Sequence, residues 1–438
     1  MRTKVPRIFV DSLGCSKNTV DSEHFIAQAK ANRFIITENA DEADIAVINT
    51  CGFIESAKEE SIEHILAATD LKKEGKLEKV MVMGCLSDRY SAELEADIPD
   101  VDKYYGNSYY NLSKVLEDLG GDYKTELLGE RSLTNPPHYA YLKISEGCDN
   151  PCSFCAIPIM RGGHVSRSFE ELENEARKLK AGGVKELIIV GQDTTYYGLD
   201  LYKKRALAEL LERMSDIGFD WIRLQYAYPA RFPEDILPVM RERENICTYL
   251  DMPLQHVNSK LLKSMRRNIK REQLYTVLEK IKSEIPGVRL RTTFIVGYPG
   301  EGDEEFEQLK QFVKDMRFSR MGCFPYSQED ATYAFDLGDP VPDEVKQRRI
   351  RELMAIQEEI SKELNEELIG QTVKVIIDRI ESGVAYGRTE FDTPEVDNEV
   401  IIQGAKDGFN IADLKIGEFY QVEINDAEAF DLFGDIVA

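Results

Sequence analysis

Over the first 120 positions the apolar residues come in short runs instead of a continuous periodicity. Ile8-Phe9-Val10, Ile45-Ala46-Val47-Ile48 and Val80-Met81-Val82-Met83 are separated by long charged stretches with helical spacing. Runs apolar at consecutive positions belong to strands buried on both faces, and their alternation with helices predicts an open parallel α/β sheet. From Tyr139 the alternation resumes, with strands expected at 141–145, 187–190, 221–226, 248–250, 291–296 and 321–325. Six such units predict a partial, open (β/α)6 barrel. Between 343 and 368 the period becomes helical, with Val345, Ile350, Leu353, Ile356, Ile360, Leu364 and Leu368 on one face and Gly370 as the stop. Four short segments follow, 372–377, 384–390, 399–402 and 419–424, separated by Gly, Asp and Pro, and they predict a small all-β module. The chain therefore divides into an amino-terminal α/β unit (1–125), a polar linker (126–137), a barrel with its terminal helix (138–368) and a β module (369–438).

Composition narrows the setting. The 438 residues are 42% hydrophobic and 31% charged, as in a soluble globular protein, and no run of eighteen apolar residues offers a membrane span. The start, Met1-Arg2-Thr3-Lys4-Val5-Pro6, enters a strand without an apolar signal core, so a cytoplasmic protein with no membrane partner is expected. A net charge of −24 disfavours a nucleic acid, whose binding rests on Lys and Arg neutralising phosphates, and favours a cationic partner. A local basic patch can overrule that total.

Eight cysteines in such a chain read as metal ligands or reactive thiols more readily than as disulfides. The segment Cys148-Asp-Asn-Pro-Cys152-Ser-Phe-Cys155 follows a strand with C-x₃-C-x₂-C spacing. Three thiolates, one fewer than usual, can hold a [4Fe–4S] cluster and leave one iron open to chelate a small molecule. Zinc is the alternative, but it calls for paired C-x₂-C units or a histidine at finger spacing, and none of the five histidines is so placed. Cys247 and Cys323 lie within strand segments and read as core. Cys15, Cys51 and Cys85 each follow one of the three amino-terminal strands, and carboxyl ends of strands in open sheets are where sites form. Convergence is thus open to them, although spacing alone favours buried structural cysteines.

Cys148, Cys152 and Cys155, with Phe154 before the last, resemble the signature of the radical S-adenosylmethionine superfamily. The resemblance implies that the amino and carboxylate groups of S-adenosylmethionine bind the open iron. One electron then breaks the sulfonium bond and releases a 5′-deoxyadenosyl radical, able to take hydrogen from an unactivated C–H. Gly191, Gln192 and Asp193 after the second strand, and Ile295 and Gly297 at the fifth, resemble the segments that meet the methionyl group and the adenine. Gln192 departs from the more usual Gly-Glu pair, and no catalytic side chain is singled out.

The blocks at 12–23, 49–57 and 84–86 are similar to those of the methylthiotransferase family. They imply a second [4Fe–4S] cluster on Cys15, Cys51 and Cys85, whose open iron takes the sulfur to be transferred. The β module resembles a TRAM domain. Relatives of this kind modify either an adenosine in transfer RNA or the β-carbon of one aspartate in the twelfth small-subunit ribosomal protein. Residues 370–438 carry five Lys and Arg against fifteen Asp and Glu, a balance of −10 that suits a basic protein and repels phosphates. The block at 49–61 also looks more like the aspartate-modifying branch. A basic ribosomal protein is therefore the expected substrate, with two equivalents of S-adenosylmethionine, an electron donor and a sulfur source. Acidic residues that merely solubilise the module, transfer RNA as the substrate, and a non-catalytic iron–sulfur scaffold are the competing readings.

Overall fold

A computed structural model describes residues 5–406 and 410–437. Part of the segment read as lacking a signal core (1–4), and positions 407–409 and 438 of the acidic module, lie outside the described residues.

The amino-terminal sheet holds β1 (Arg7–Ser12), β2 (Ile35–Thr37), β3 (Ile45–Thr50), β4 (Lys79–Gly84) and β5 (Lys103–Tyr104) in the order β2-β1-β3-β4-β5, every pair parallel. Helices α1 (Ser16–Ala31), α2 (Glu55–Lys73) and α3 (Cys85–Asp97) lie between successive strands, and α4 (Ser108–Asp118) follows β5. Every residue of β3 is buried because the sheet feeds two cores. Ala46, Ile48, Val80 and Val82 pack with Ile65 of α2, while Ile45, Val47, Met81 and Met83 pack with Phe25 of α1 and Val115 of α4. The edge strands β2 and β5 span three and two residues, too short for an apolar run to reveal them.

The second sheet begins with β6 (Tyr139–Lys143) and passes through a short antiparallel pair, β7 (Ser145–Glu146) and β8 (Val165–Ser166). It continues with β9 (Glu186–Val190), β10 (Trp221–Leu224), β11 (Ile246–Asp251), β12 (Arg289–Val296) and β13 (Arg320–Pro325). The six strands β6-β9-β10-β11-β12-β13 are parallel throughout and β6 does not pair with β13, so the barrel stays open. Leu187, Ile222, Leu250, Leu290 and Phe294 face the helices in one core. The alternate residues, Glu186, Arg223, Tyr249, Arg291 and Arg320, form a concave face that is largely polar. Val20 of α1 packs on its Tyr139, Tyr141, Ile188 and Val190 side, so the amino-terminal unit covers the β6 and β9 part of this face.

The last module is a closed barrel of β14 (Thr372–Glu381), β15 (Val384–Arg388), β16 (Glu399–Ala405), β17 (Phe419–Ala427) and β18 (Asp431–Ile436). The pattern predicted four of these strands. β18 was missed because Asp431, Gly434 and Asp435 break its apolar alternation, and Gly434 is needed where an added Cβ would lie 2.6 Å from the Glu423 carbonyl.

The loop between β15 and β16 supplies the partners that the concave face requires. Tyr249 and Arg291 donate to Asp397 (3.0 and 3.2 Å), Arg320 to Asp392 (2.6 Å), Arg223 to the Glu390 carbonyl (2.7 Å) and Gln225 to Thr393 (2.6 Å). Arg388 pairs with both Glu186 (2.8 Å) and Asp378 (2.6 Å). This corrects one part of the charge reading: Asp378, Asp392 and Asp397 of the acidic module face inward to arginines and add nothing to a surface that could attract a partner.

The stretch expected to be a linker has no strand or α-helix but is anchored. The Arg131 side chain is fully buried, pairs with Glu23 and lies 3.1 Å from Glu175, which also takes Arg167 at 2.7 Å. Burial alone would raise the Glu175 carboxyl, yet Arg167, His24 and Arg131 hold it at about 2. Burial pushes His24 down to about 4, against the pull of Glu175. Both groups have folded pKa values below their unfolded ones, so both favour the folded state at neutral pH. The His24 contribution should fade between about 6.5 and 4, and that of Glu175 between about 4.5 and 2. Urea midpoints measured against pH should fall through both windows, and Glu175→Gln should reduce the slope in the lower one without abolishing it, because Glu146 is also held at about 2.

Candidate functional site

Two sheets present their carboxyl edges to each other, and the site lies between. In the amino-terminal sheet β1, β3 and β4 run in parallel, so Cys15, Cys51 and Cys85 leave from one edge. Gly14 permits their approach: its φ is +92°, and a Cβ there would lie 2.6 Å from Cys51 Cβ and 2.8 Å from its Sγ. Asn18 ties the strand ends together, donating to the carbonyls of Leu13 (2.8 Å) and Thr50 (3.0 Å). Ser61 of α2 fixes Cys51, accepting from its N–H and donating to its carbonyl, each at 3.0 Å. Cys15 caps α1 and Cys85 opens α3, placing both thiols at helix amino termini.

The opposite wall is the loop after β6 and β7. Cys148, Cys152 and Cys155 are held by the Cys148 N–H to the Gly162 carbonyl (3.1 Å), the Ser153 N–H to the Met265 carbonyl (3.1 Å), and the Ala334 N–H to the Ser153 carbonyl (2.7 Å). Asn150 donates to Cys148 Sγ at 3.5 Å and to Asp193 at 2.7 Å, and Arg267 reaches Cys152 Sγ at 3.4 Å. All six cysteines line a single cavity of about 360 Å³.

Arg161 joins the walls. It ends α5 (Ile157–Arg161), two residues after which the chain turns back, and is buried at 3% exposure. Its Nε donates to Cys85 Sγ at 3.2 Å, and its Nη atoms reach Asn18 (2.5 Å) and Asp21 (3.4 Å) of α1 and Glu146 (2.8 Å) of the barrel loop. Lys143 completes the cluster, pairing with Asp21 and, at 2.8 Å, with Glu146.

Burial raises Cys51 to about 11 and Cys85 and Cys148 to about 12, and raises Cys155 as well. Cys15 is lowered: burial opposes this, but Lys17, Arg161 and two backbone N–H groups outweigh it. None of the eight cysteines is in a disulfide. Among the described residues no group of three His, Cys, Asp or Glu is arranged around one metal ion. Six thiols, four of them buried and Cys15 and Cys155 half-buried, with no carboxylate among the described lining residues, form a soft donor set, suited to thiophilic iron and unsuited to a hard cation.

Of the other expected site residues, Phe154 and Gln192 line the cavity. Gln192 donates to Glu146 at 3.2 Å and leaves its buried Oε1 without a protein partner. Gly191, Asp193, Ile295 and Gly297 do not line it. Gly191 is packed against Ser145, where a Cβ would lie 3.0 Å from Oγ, and Asp193 acts through Asn150. Ile295 packs with Phe154 on the Tyr298 and Tyr326 cluster. Gly297 donates to Glu301 (2.8 Å) and is pressed against Lys346, whose Cγ an added Cβ would meet at 2.4 Å. Cys247 is core, beside Trp221 and Tyr249, whereas Cys323 is only half-buried because β13 is an edge strand. Sequence reasoning assigned no role to Lys17, Arg161, Tyr226, Tyr228 or Arg267, which reach the cavity from separate elements and share no spacing.

Family models match in three places: the Radical SAM superfamily at residues 142–313, the uncharacterized protein family UPF0004 at 7–106, and the TRAM domain at 369–437. A ribosomal protein uS12 methylthiotransferase RimO from Chloroherpeton thalassium is 56% identical over 437 residues, covering 100% of both chains. The protein of the same name from Bacteroides thetaiotaomicron is 54% identical over 99% of each. Among solved structures, the radical S-adenosylmethionine methyltransferase TsrM from Kitasatospora setae, with cobalamin and a [4Fe-4S] cluster bound, has a TM-score of 0.55 at 11% identity, covering 87% of this chain and 81% of its own. The cobalamin-dependent S-adenosylmethionine radical enzyme OxsB has a TM-score of 0.52 at 13% identity over 81% and 56%. These two likenesses show the fold alone.

The close approach at Gly14 has a measurable consequence. Gly14→Ala and Gly75→Ala both place a side chain at positive φ, +92° and +77°, but only at Gly14 does the new Cβ meet anything within 4 Å. Gly75→Ala should cost about 1–2 kcal/mol from backbone strain. Gly14→Ala should add a further ~1–3 kcal/mol of overpacking against Cys51, read from urea unfolding of the two proteins side by side.

Proposed function

We propose a function on the premise that this chain belongs to the ribosomal protein uS12 methylthiotransferase (RimO) family, to whose members it is 52–56% identical along almost its whole length. The protein attaches a methylthio group to uS12 by radical S-adenosylmethionine chemistry, at the β-carbon of one aspartate. The supporting observation is that two cysteine triads, one from each sheet, line the same cavity. Radical formation and sulfur delivery thereby share one substrate position.

Cys148, Cys152 and Cys155 would hold the [4Fe–4S] cluster that goes with the radical superfamily, and Cys15, Cys51 and Cys85 would hold a second. Together with S-adenosylmethionine these groups supply one-electron bond cleavage and the sulfur for transfer. The protein's own part is positioning and exclusion of water. Gln192 offers its unpartnered Oε1 to the amino group of the cofactor, while Asp193 orients Asn150 beside Cys148. Phe53, Phe154, Ile157, Met160, Tyr226 and Tyr228 give the cavity apolar walls, which protect a carbon radical from polar side reactions. The segment after β13 straps the two sheets together: Glu329 pairs with Arg89 at 2.7 Å, and Arg89 in turn donates to the Gly52 carbonyl at 3.2 Å, beside Cys51. An electron donor and a sulfur source complete the reaction, which takes place in the cytoplasm. No helix among the described residues is long and apolar enough to cross a membrane.

The reconstituted enzyme, incubated without oxygen with S-adenosylmethionine, a reductant and sulfide, should add one methylthio mass to uS12 and none to transfer RNA. Modified adenosine with untouched uS12 would overturn the substrate, and absence of 5′-deoxyadenosine would leave only a scaffold. Cys152→Ala should abolish 5′-deoxyadenosine formation and remove about half of the iron, since two thiolates hold a cubane poorly. Cys51→Ala should continue to cleave S-adenosylmethionine yet form no methylthiolated product. Full iron and full product yield in Cys51→Ala would return Cys15, Cys51 and Cys85 to a structural role.

A further inference from the structure

Three cations, Lys17, Arg161 and Arg267, and no carboxylate line the cavity between the triads. Two of the three are engaged. Arg161 is held by Asp21, Glu146 and Asn18, and Arg267 donates to the Pro253 carbonyl at 2.5 Å and to Cys152 Sγ at 3.4 Å.

Lys17 differs. It is 7% exposed, and its ammonium has no ion pair or hydrogen bond among the described residues. Its contact is the ring of Tyr226, whose centroid lies 3.4 Å from Nζ, and it also exerts a field on the Cys15 thiol. No carboxylate of the described residues pairs with it, so its charge faces only the Cys15 thiol and the cavity, and a buried ammonium of this kind is costly until an anion meets it. Tyr226 is itself held in an unusual conformation, at φ +59°. Its N–H donates to Asp251 at 3.1 Å and its carbonyl accepts from the Thr194 N–H at 3.1 Å, so both neighbouring strand ends fix the ring under the ammonium. Strain of this kind persists where the surroundings enforce it, commonly at functional sites. Lys17 stands on the first turn of α1 and Tyr226 on the barrel, so their contact spans the two walls.

We propose that Lys17 recognises the target residue, its ammonium pairing with the side-chain carboxylate of the substrate aspartate. This rests on the reading of uS12 as substrate. The carboxylate of an aspartate is one bond from its β-carbon, so a pair at Lys17 fixes that carbon between the two triads. Elsewhere the chain is strongly acidic and repels carboxylates, at −24 overall, so an unpaired cation inside the cavity selects a carboxylate at that point only. A neutral nucleobase would gain nothing from it.

The test compares equilibrium binding of purified uS12 with that of uS12 carrying asparagine at the target aspartate, using the reconstituted enzyme under anaerobic conditions. Asparagine keeps the size and removes the charge. Wild-type enzyme should prefer the aspartate form on the order of 30-fold, as expected for loss of one buried charge pair. Lys17→Met should bind both forms alike, whereas Lys17→Arg should retain most of the preference. Only proteins with wild-type iron content are compared, and Lys17→Gln replaces Lys17→Met if that variant loses iron. A neutral variant that still prefers aspartate, or wild-type enzyme with no preference, would overturn the assignment and leave Lys17 as a charge balancing the thiolates. If wild-type enzyme binds neither form and modifies transfer RNA, the substrate reading itself has failed, a result distinct from equal binding of both forms.

Discussion

Arg161 lies where three parts of the molecule meet, and its buried charge dictates how they meet. It follows the Cys148–Cys155 loop in sequence, touches a cysteine of the other sheet and pairs with carboxylates from α1 and from the barrel loop. Removing one member of such a cluster exposes the rest to an uncompensated burial that typically costs about 3–5 kcal/mol. The two sheets therefore have one favourable relative position. That position puts both thiol triads on the same cavity.

The same logic governs the far side of the barrel. An open six-stranded barrel with arginines and a glutamate on its concave face cannot bury them without partners. The loop between β15 and β16 supplies Asp392, Asp397, Thr393 and a carbonyl, and Arg388 brings Glu186 into the same network. The acidic module is thus part of the structure of the barrel as well as an appendage. It reaches Asp251 through Arg291, and Asp251 holds the Tyr226 backbone at the cavity. A continuous polar path therefore runs from the last module to the site.

What the sequence by itself determined follows from short-range rules. Continuous apolar runs give parallel strands covered on both sides, so the two α/β sheets were legible, and the C-x₃-C-x₂-C segment defines its own chemistry because its three thiols are neighbours in the chain. The short edge strands β2 and β5, and the glycine-broken β18, were not legible, since two or three residues, or an interrupted alternation, carry no period. Cys15, Cys51 and Cys85 were legible as residues following strands, but their convergence was not. It depends on three strands being adjacent and on the left-handed conformation of Gly14, which lets Cys51 approach. Only the tertiary structure decided that the two triads share one cavity, that Arg161 joins them, that three carboxylates of the acidic module point inward, and that among the described residues no carboxylate pairs with Lys17. Each of these depends on groups far apart in sequence meeting in space, and most of those groups are charged. Composition counts such charges, and only the fold brings them within reach of one another.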